Sequence, residues 1–140
     1  MAVIIEQFKR FYQVFDPKAL HEMDAIYTDE VEFRDPIHQV NGRAQLRAYM
    51  EHMAGNLDSC RFFYLEEQIS GNTAFVKWNM HFTHPKLAGG KELTVRGMSE
   101  VRFDDRIYYQ EDFYDMGAMV YEHVPVFGRV VQWLRHRLAA

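Results

Sequence analysis

The chemistry this chain can offer centres on Asp35. It closes the stretch Tyr27-Thr-Asp-Glu-Val-Glu-Phe-Arg-Asp35-Pro36, in which Val31, Phe33 and Asp35 alternate with Glu32 and Arg34. A strand sends alternate side chains to opposite faces, so Asp35 shares the apolar face of Val31 and Phe33. Pro36 brings no amide hydrogen and ends the strand. A carboxylate at the end of an apolar strand face is placed to look into a pocket. Desolvation there raises its pKa and lets it accept and return a proton. The same Asp-Pro pair can also be a plain turn, its carboxylate bonded to local backbone. Both readings stand.

Other chemistries find little support. The seven histidines include no His-x-His and no His-Glu-x-x-His. His81 and His84 are three apart and point to opposite strand faces, so neither a metal nor any other cofactor is expected. His38, just past the Asp-Pro break, either overhangs a pocket mouth or is a loop residue. There is no Gly-x-Ser-x-Gly elbow and no glycine-rich phosphate cradle. The net charge of −4 argues against a nucleic-acid binder, which needs a clustered basic face. Cys60 is the only cysteine, so an internal disulfide is excluded and a reducing compartment fits. The first residues carry no basic segment ahead of a long apolar run, and nothing approaches a membrane span; a soluble, cytoplasmic protein is the expectation.

The 140 residues suit a single domain with a substantial core. With 11 Phe and 8 Tyr, that domain has either a dense core or an apolar cavity. Ile4, Ile5, Phe8, Phe11, Tyr12 and Phe15 recur at helical spacing and predict an amphipathic first helix. Asp16-Pro17 reads as an N-cap and first helical position of a short second helix, with Leu20, Met23, Ile26 and Tyr27 as its stripe. The strand ending at Asp35 comes next. Asn41-Gly42 starts a third helix whose stripe is Leu46, Tyr49, Met50, Met53 and Leu57.

From about Cys60 the period falls to two. Strands are predicted over 61–69 and 74–84, joined by the turn Ser70-Gly71-Asn72-Thr73, then over 92–103 and 106–115. Val76, Trp78, Met80 and Phe82 share one face and read first as core. In the last strand Asp112 and Tyr114 alternate with Glu111, Phe113 and Asp115. Beyond Ala118, Val120, Tyr121, Val124, Phe127, Val130, Val131, Trp133, Leu134 and Leu138 predict a helical segment over about 118–138, broken near Pro125 and Gly128. Arg129, Arg135 and Arg137 are read into its last turns. Its apolar stripe is expected on the domain's own sheet or on a second subunit rather than on a membrane. Helices gathered ahead of a run of antiparallel strands indicate an α+β fold.

That order of elements, with the Tyr27-to-Pro36 stretch and Asn41-Gly42-Arg43 leading into a helix, resembles the nuclear-transport-factor-2-like superfamily and, within it, the SnoaL-like and ketosteroid-isomerase-like proteins. Gly97-Met-Ser-Glu-Val-Arg-Phe-Asp104 and Glu111-Asp-Phe-Tyr-Asp115 support it. The resemblance covers about 4–116. It implies a cone-shaped fold, N-terminal helices packed on a curved antiparallel or mixed sheet, with a ligand cavity at its mouth. It also implies that Asp35 matches the general base of the isomerases. Their oxyanion-hole tyrosine falls on Phe11, or on Tyr12 if the register slips by one, and their oxyanion-hole aspartate on Ser99. Phe11 has no hydroxyl and serine is a weaker donor than a carboxylic acid, so steroid isomerisation is not expected.

By the family pattern the Asp112/Tyr114 face lines the cavity, where a second carboxylate beside Asp35 shares a proton with it or orients a water; the plainer alternative is a solvated strand face. The expectation is thus a cavity for a small lipophilic molecule. Asp35 and Asp112 are its catalytic candidates; Phe11, Tyr12, His38, Trp78, Met80, Ser99 and Tyr114 are candidate ligand contacts. Isomerisation, cyclisation or hydration is the reaction class, against the alternative of a non-catalytic ligand-binding or dimerising module. A homodimer is what the resemblance implies for assembly.

Overall fold

Burial of one apolar stripe makes the N-terminal segment a helix, α1 (Val3–Gln13), with Ile4, Ile5, Phe8, Phe11 and Tyr12 buried. The computed structural model describes residues 2–115 and 125–139. Asp16 caps the next element as expected: its carboxylate accepts the Lys18 amide at 2.9 Å, and Pro17 takes the first position. The segment so capped is not one α-helix. It is a 3₁₀ stretch (Pro17–Glu22) and a single α turn, α2 (Met23–Ile26). Leu20 is the buried side chain of the 3₁₀ stretch, and Met23 and Ile26 are those of the α turn.

The strand β1 (Tyr27–Arg34) stops at Asp35-Pro36, but the chain does not leave the sheet there. It makes a tight loop, closed by the Asp35 amide on the His38 carbonyl at 3.0 Å, and returns as β2 (Gln39–Asn41). Three residues are too few to display alternation, so β2 is invisible to periodicity. Gly42 then swings the chain into α3 (Arg43–Asn56) at φ +92°, a conformation that disfavours any side chain, while its amide bonds the Val31 carbonyl at 2.7 Å. β3 (Ser59–Ser70) and β4 (Thr73–Thr83) form the expected two-residue hairpin, followed by β5 (Leu93–Phe103) and β6 (Ile107–Tyr114).

The six strands make one curved sheet in the order β2-β1-β6-β5-β4-β3. Only β1 and β6 run parallel; the other neighbours are antiparallel. With α1 and α3 packed on its inner face, the α+β architecture is as expected. Val76, Trp78, Met80 and Phe82 all turn to that face and are buried. On β3 the register slips by one residue between Tyr64 and Glu66. Leu65 is a bulge there, so the inward set changes parity from Phe62 and Tyr64 to Glu67.

Cross-strand pairing sets Gly97 of β5 between Trp78 of β4 and Tyr114 of β6. The Trp78 ring lies across Gly97, so that a Cβ there would come within 2.3 Å of the indole.

The tail helix α4 (Pro125–Ala139) is continuous through Gly128, and Pro125 opens it instead of breaking it. Arg129 therefore falls in its first half, with Arg135 and Arg137 near its end. Val130, Trp133, Leu134 and Leu138 are exposed, so these residues do not pack on the domain's own sheet. Val120, Tyr121 and Val124 lie outside the described residues. Among the described residues no helix is long and apolar enough to cross a membrane.

Gly97→Ala is expected to push the indole off its seat and cost roughly 1–3 kcal/mol, the usual penalty of overpacking a filled core. Urea unfolding of the two proteins measures it; an unchanged midpoint would show that the ring has room to yield.

Candidate active site

The parallel pairing of β1 with β6 is what assembles the site. Phe33 stands opposite Gln110 and Arg34 opposite Glu111, so one step further Asp35 and Asp112 come side by side on the inner face. Both line one apolar cavity. Phe33, Phe62, Trp78 and Met80 form its sheet wall, Met50 and Met53 of α3 close it from above, and Tyr12 and Tyr114 bring phenols. The cavity measures about 30 Å³. A water fits in roughly 10–15 Å³ and a benzene-sized guest in about 150 Å³, so a larger ligand must displace side chains.

A directed line of hydrogen bonds holds Asp112. The Trp78 indole N–H donates to Ser99 Oγ at 2.9 Å, and Ser99 in turn donates its only proton to Asp112 Oδ1 at 2.6 Å. Gln110 Nε2 donates to the same oxygen at 3.0 Å. That fixes Gln110 Oε1 as an acceptor, filled by the Tyr27 hydroxyl at 2.5 Å. Tyr27 has then spent its proton, so in the 2.6 Å contact between the two phenols Tyr12 is the donor. Both donors to Asp112 act on Oδ1. Burial raises the Asp112 pKa to about 6; Ser99 and Gln110 hold it down, and the Asp35 and Glu111 charges add to the rise.

Asp35 makes the local turn its sequence context suggests and also lines the cavity. Oδ1 accepts the amides of Ile37 at 2.8 Å and His38 at 2.7 Å, which is the local turn; Oδ2 accepts the Tyr49 hydroxyl from α3. Three donors thus meet its two oxygens. Tyr114 differs from the other cavity phenols in having no hydrogen-bond partner among the described residues, and burial pushes its pKa up, so it stays a protonated donor. Cys60 also reaches the cavity, but burial pushes its thiol up to about 12, which leaves it protonated and a poor nucleophile.

Of the residues singled out in the sequence, Asp35, Asp112, Tyr12, Trp78, Met80 and Tyr114 meet at this cavity. Ser99 lies behind it, fully buried as the link from Trp78 to Asp112. Phe11 does not face it. Its ring is buried edge-on against Tyr12, at 4.9 Å between centroids, beside a separate surface dent. His38 is an exposed turn residue that serves Asp35 through its backbone, with its ring 5.0 Å from Tyr49. Sequence reasoning does not single out Gln110, Tyr27 or Tyr49 as site residues. Gln110 shares the parity of Asp112 and Tyr114, a signal that could have found it. Tyr27 and Tyr49 stand in apolar stripes, where the polar end of a phenol leaves no trace. Among the described residues no three His, Cys, Asp or Glu side chains converge as a metal site.

The sequence pattern of the SnoaL-like domain matches residues 8–110. Solved structures similar to this chain include an NTF2-like protein of unknown function from Burkholderia pseudomallei. It is 19% identical, covers 86% of this chain and 96% of its own, and superposes with a TM-score of 0.74. A hypothetical protein with a ketosteroid isomerase-like fold from Catenulispora acidiphila, in complex with trimethylamine, is 12% identical over 86% and 91% of the two chains, with a TM-score of 0.73. A third, from Jannaschia sp. CCS1 and named as a candidate SnoaL-like polyketide cyclase, is 12% identical over 83% and 88%, with a TM-score of 0.70. At these identities the likeness is one of fold. Among curated proteins no sequence match is found.

The raised Asp112 pKa makes stability depend on pH with a definite sign. An unfolded aspartate titrates near ~3.9. The folded protein binds that proton more tightly, so the associated stability is fully present below the unfolded value and is lost as pH rises through about 6. Asp112→Asn keeps an acceptor for Ser99 and Gln110 without the charge. At pH 7.5 it should unfold at higher urea than the parent, by on the order of 2 kcal/mol, and the gap should close near pH ~4. A gap that is the same at both pH values would mean that Asp112 is not strained by burial.

Proposed function

The chain belongs to the SnoaL-like domain family, and from that premise we propose that its cavity takes a small, mostly apolar carbonyl compound and moves a proton beside the carbonyl. The observation that carries this reading is the pair Asp112 and Tyr114. They stand two residues apart on one strand face and line one apolar cavity, the first a carboxylate with a pKa raised to about 6 and the second a phenol with no hydrogen-bond partner among the described residues. A general base works best with a pKa near the working pH, and a donor at the developing oxyanion supplies the electrostatic part.

In this mechanism the substrate carbonyl oxygen accepts a hydrogen bond from the Tyr114 hydroxyl. Asp112 Oδ2 takes the proton from the adjacent carbon; the C–H bond breaks, an O–H bond forms, and the electron pair moves into the enolate held by Tyr114. Return of the proton to another carbon gives isomerisation. Attack of the enolate carbon on a second carbonyl of the same molecule gives cyclisation. Ser99 and Gln110 hold Oδ1 and leave Oδ2 without a donor among the described residues, and burial, with the Asp35 charge adding to it, keeps the Asp112 pKa raised. Asp35 matches the family's usual base, but both of its oxygens already accept hydrogen bonds, from two turn amides and Tyr49. The similar structures named for an isomerase-like fold and for polyketide cyclisation fit the same reaction class.

The small resting cavity favours a second reading: a ligand-binding or dimerising module that turns nothing over. Dimerisation has its own support. Phe63, Phe75, Met98 and Phe113 leave 40–48% of their surface exposed, and Phe75, Met98 and Phe113 lie on adjoining strands of the uncovered sheet face. Such a patch suits burial against a second copy.

Asp112→Asn should lower turnover of a carbonyl substrate by about 10²–10⁴-fold while ligand affinity stays within a few-fold. In the parent, kcat/KM should rise with pH through about 6 as Asp112 deprotonates. Full activity in the variant would transfer the base to Asp35. For assembly, Phe113→Glu with Phe75→Glu should convert a dimer to a monomer in sedimentation equilibrium; a parent that sediments as a monomer rejects the interface.

A further inference from the structure

The cavity is not the whole of the apolar space on the inner face. A second hollow, an open groove of about 290 Å³, runs alongside it between the end of α3 and the loop after β4. Phe82 and Leu87 line it, and Asn56 and His84 stand at its polar edge. Three residues border both spaces: Met53, Leu57 and Met80. Two of the three are methionines, whose unbranched side chains change shape at little cost. Met53 also sits in the last turn of α3, with Leu57 the residue just past its end, and that turn contains Gly55, a poor helix former with open space around it. The partition is thus made of the most yielding side chains and the least rigid helical turn near the site.

Polar groups are distributed to match. The carboxylates and phenols gather at the Asp112 end, and the route past Met80 to Phe82 is apolar. Along β4 the distance from the Asp112 rung, at Val76, to Phe82 is six residues, or roughly 20 Å. A compact guest in the enclosed cavity would leave the groove wet, whereas an extended one would use both spaces.

Resting on the reading of the cavity as a carbonyl site, we propose that the substrate is an unbranched amphiphile. Its carbonyl head lies against Asp112 and Tyr114, and its alkyl tail passes between Met53 and Met80 into the groove against Phe82 and Leu87. The tail displaces the methionine partition and joins the two spaces into one channel. Each buried methylene adds about 0.8 kcal/mol in the limit of full burial, close to fourfold in affinity.

The test is calorimetric titration of the purified protein with straight-chain methyl ketones of increasing length, alongside compact bicyclic ketones of equal carbon number. Affinity should climb severalfold for each added methylene or two and level off once the groove is full. Leu87→Trp, a loop substitution outside the catalytic pair, should fill the groove: long ketones then lose tenfold or more, and the shortest bind as to the parent. The melting temperature of the unliganded variant checks its fold. Bicyclic ketones that bind while linear ones do not, or a linear series with no length dependence, overturn the extended substrate and leave the carbonyl site standing. If neither series binds, the carbonyl site and the inference fall together.

Discussion

A carboxylate on the helix-covered face of a sheet is costly unless donors meet it, and Asp112 is such a group. Much of the inner face is arranged around that requirement. Ser99 is a buried serine with a tryptophan N–H on its oxygen, which fixes its hydroxyl proton on Asp112. Trp78 reaches Ser99 because Gly97 beneath it has no side chain. On the other side Gln110 must turn its NH₂ to the carboxylate, so its oxygen needs a donor, and Tyr27 and Tyr12 supply the line that ends it. Each of these residues has one orientation compatible with the next. A satisfied polar network of this kind rigidifies the site in a way that an apolar wall does not.

Strand order then turns a local arrangement into a site. Residues 35 and 112 are far apart in the chain, and only the parallel pairing of β1 with the last strand makes them neighbours. Their proximity separates their behaviour. Asp35 is wrapped by two turn amides and a tyrosine, whereas Asp112 is pushed up by burial and by the Asp35 charge. The Asp-Pro turn, which the sequence presents as a rival to a place in the cavity, is compatible with it: the turn amides hold the carboxylate where it lines that cavity.

What periodicity can report is which face a residue takes, and there the sequence is a good guide. Val31, Phe33 and Asp35 do share a face, as do Trp78 with Met80 and Asp112 with Tyr114. Where an element departs from its ideal period, the reading loses its footing. The bulge at Leu65 reverses the parity of β3, the segment capped by Asp16 begins as a 3₁₀ stretch that its apolar stripe does not announce, and β2 is too short to alternate. The hydrogen-bond partners are least legible. Tyr27 and Tyr49 belong to apolar stripes by their rings and to the carboxylate networks by their hydroxyls, and only the fold says which groups those hydroxyls meet.

The two ends of the cavity answer to different physics. At the Asp112 end, the residues are held by directed hydrogen bonds: Trp78, Ser99, Gln110 and Tyr27. At the other end Met50, Met53 and Met80 face the same space, and nothing polar in them requires a single geometry. A site built only of the first kind would hold its catalytic groups well and admit nothing larger than its 30 Å³ hollow. A site built only of the second would admit many shapes and orient none. Placing the yielding side chains away from the carboxylates lets the cavity enlarge without loosening the line that holds Asp112. Resting volume is therefore a poor measure of what this fold can bind; the side chains that bound it are the better one.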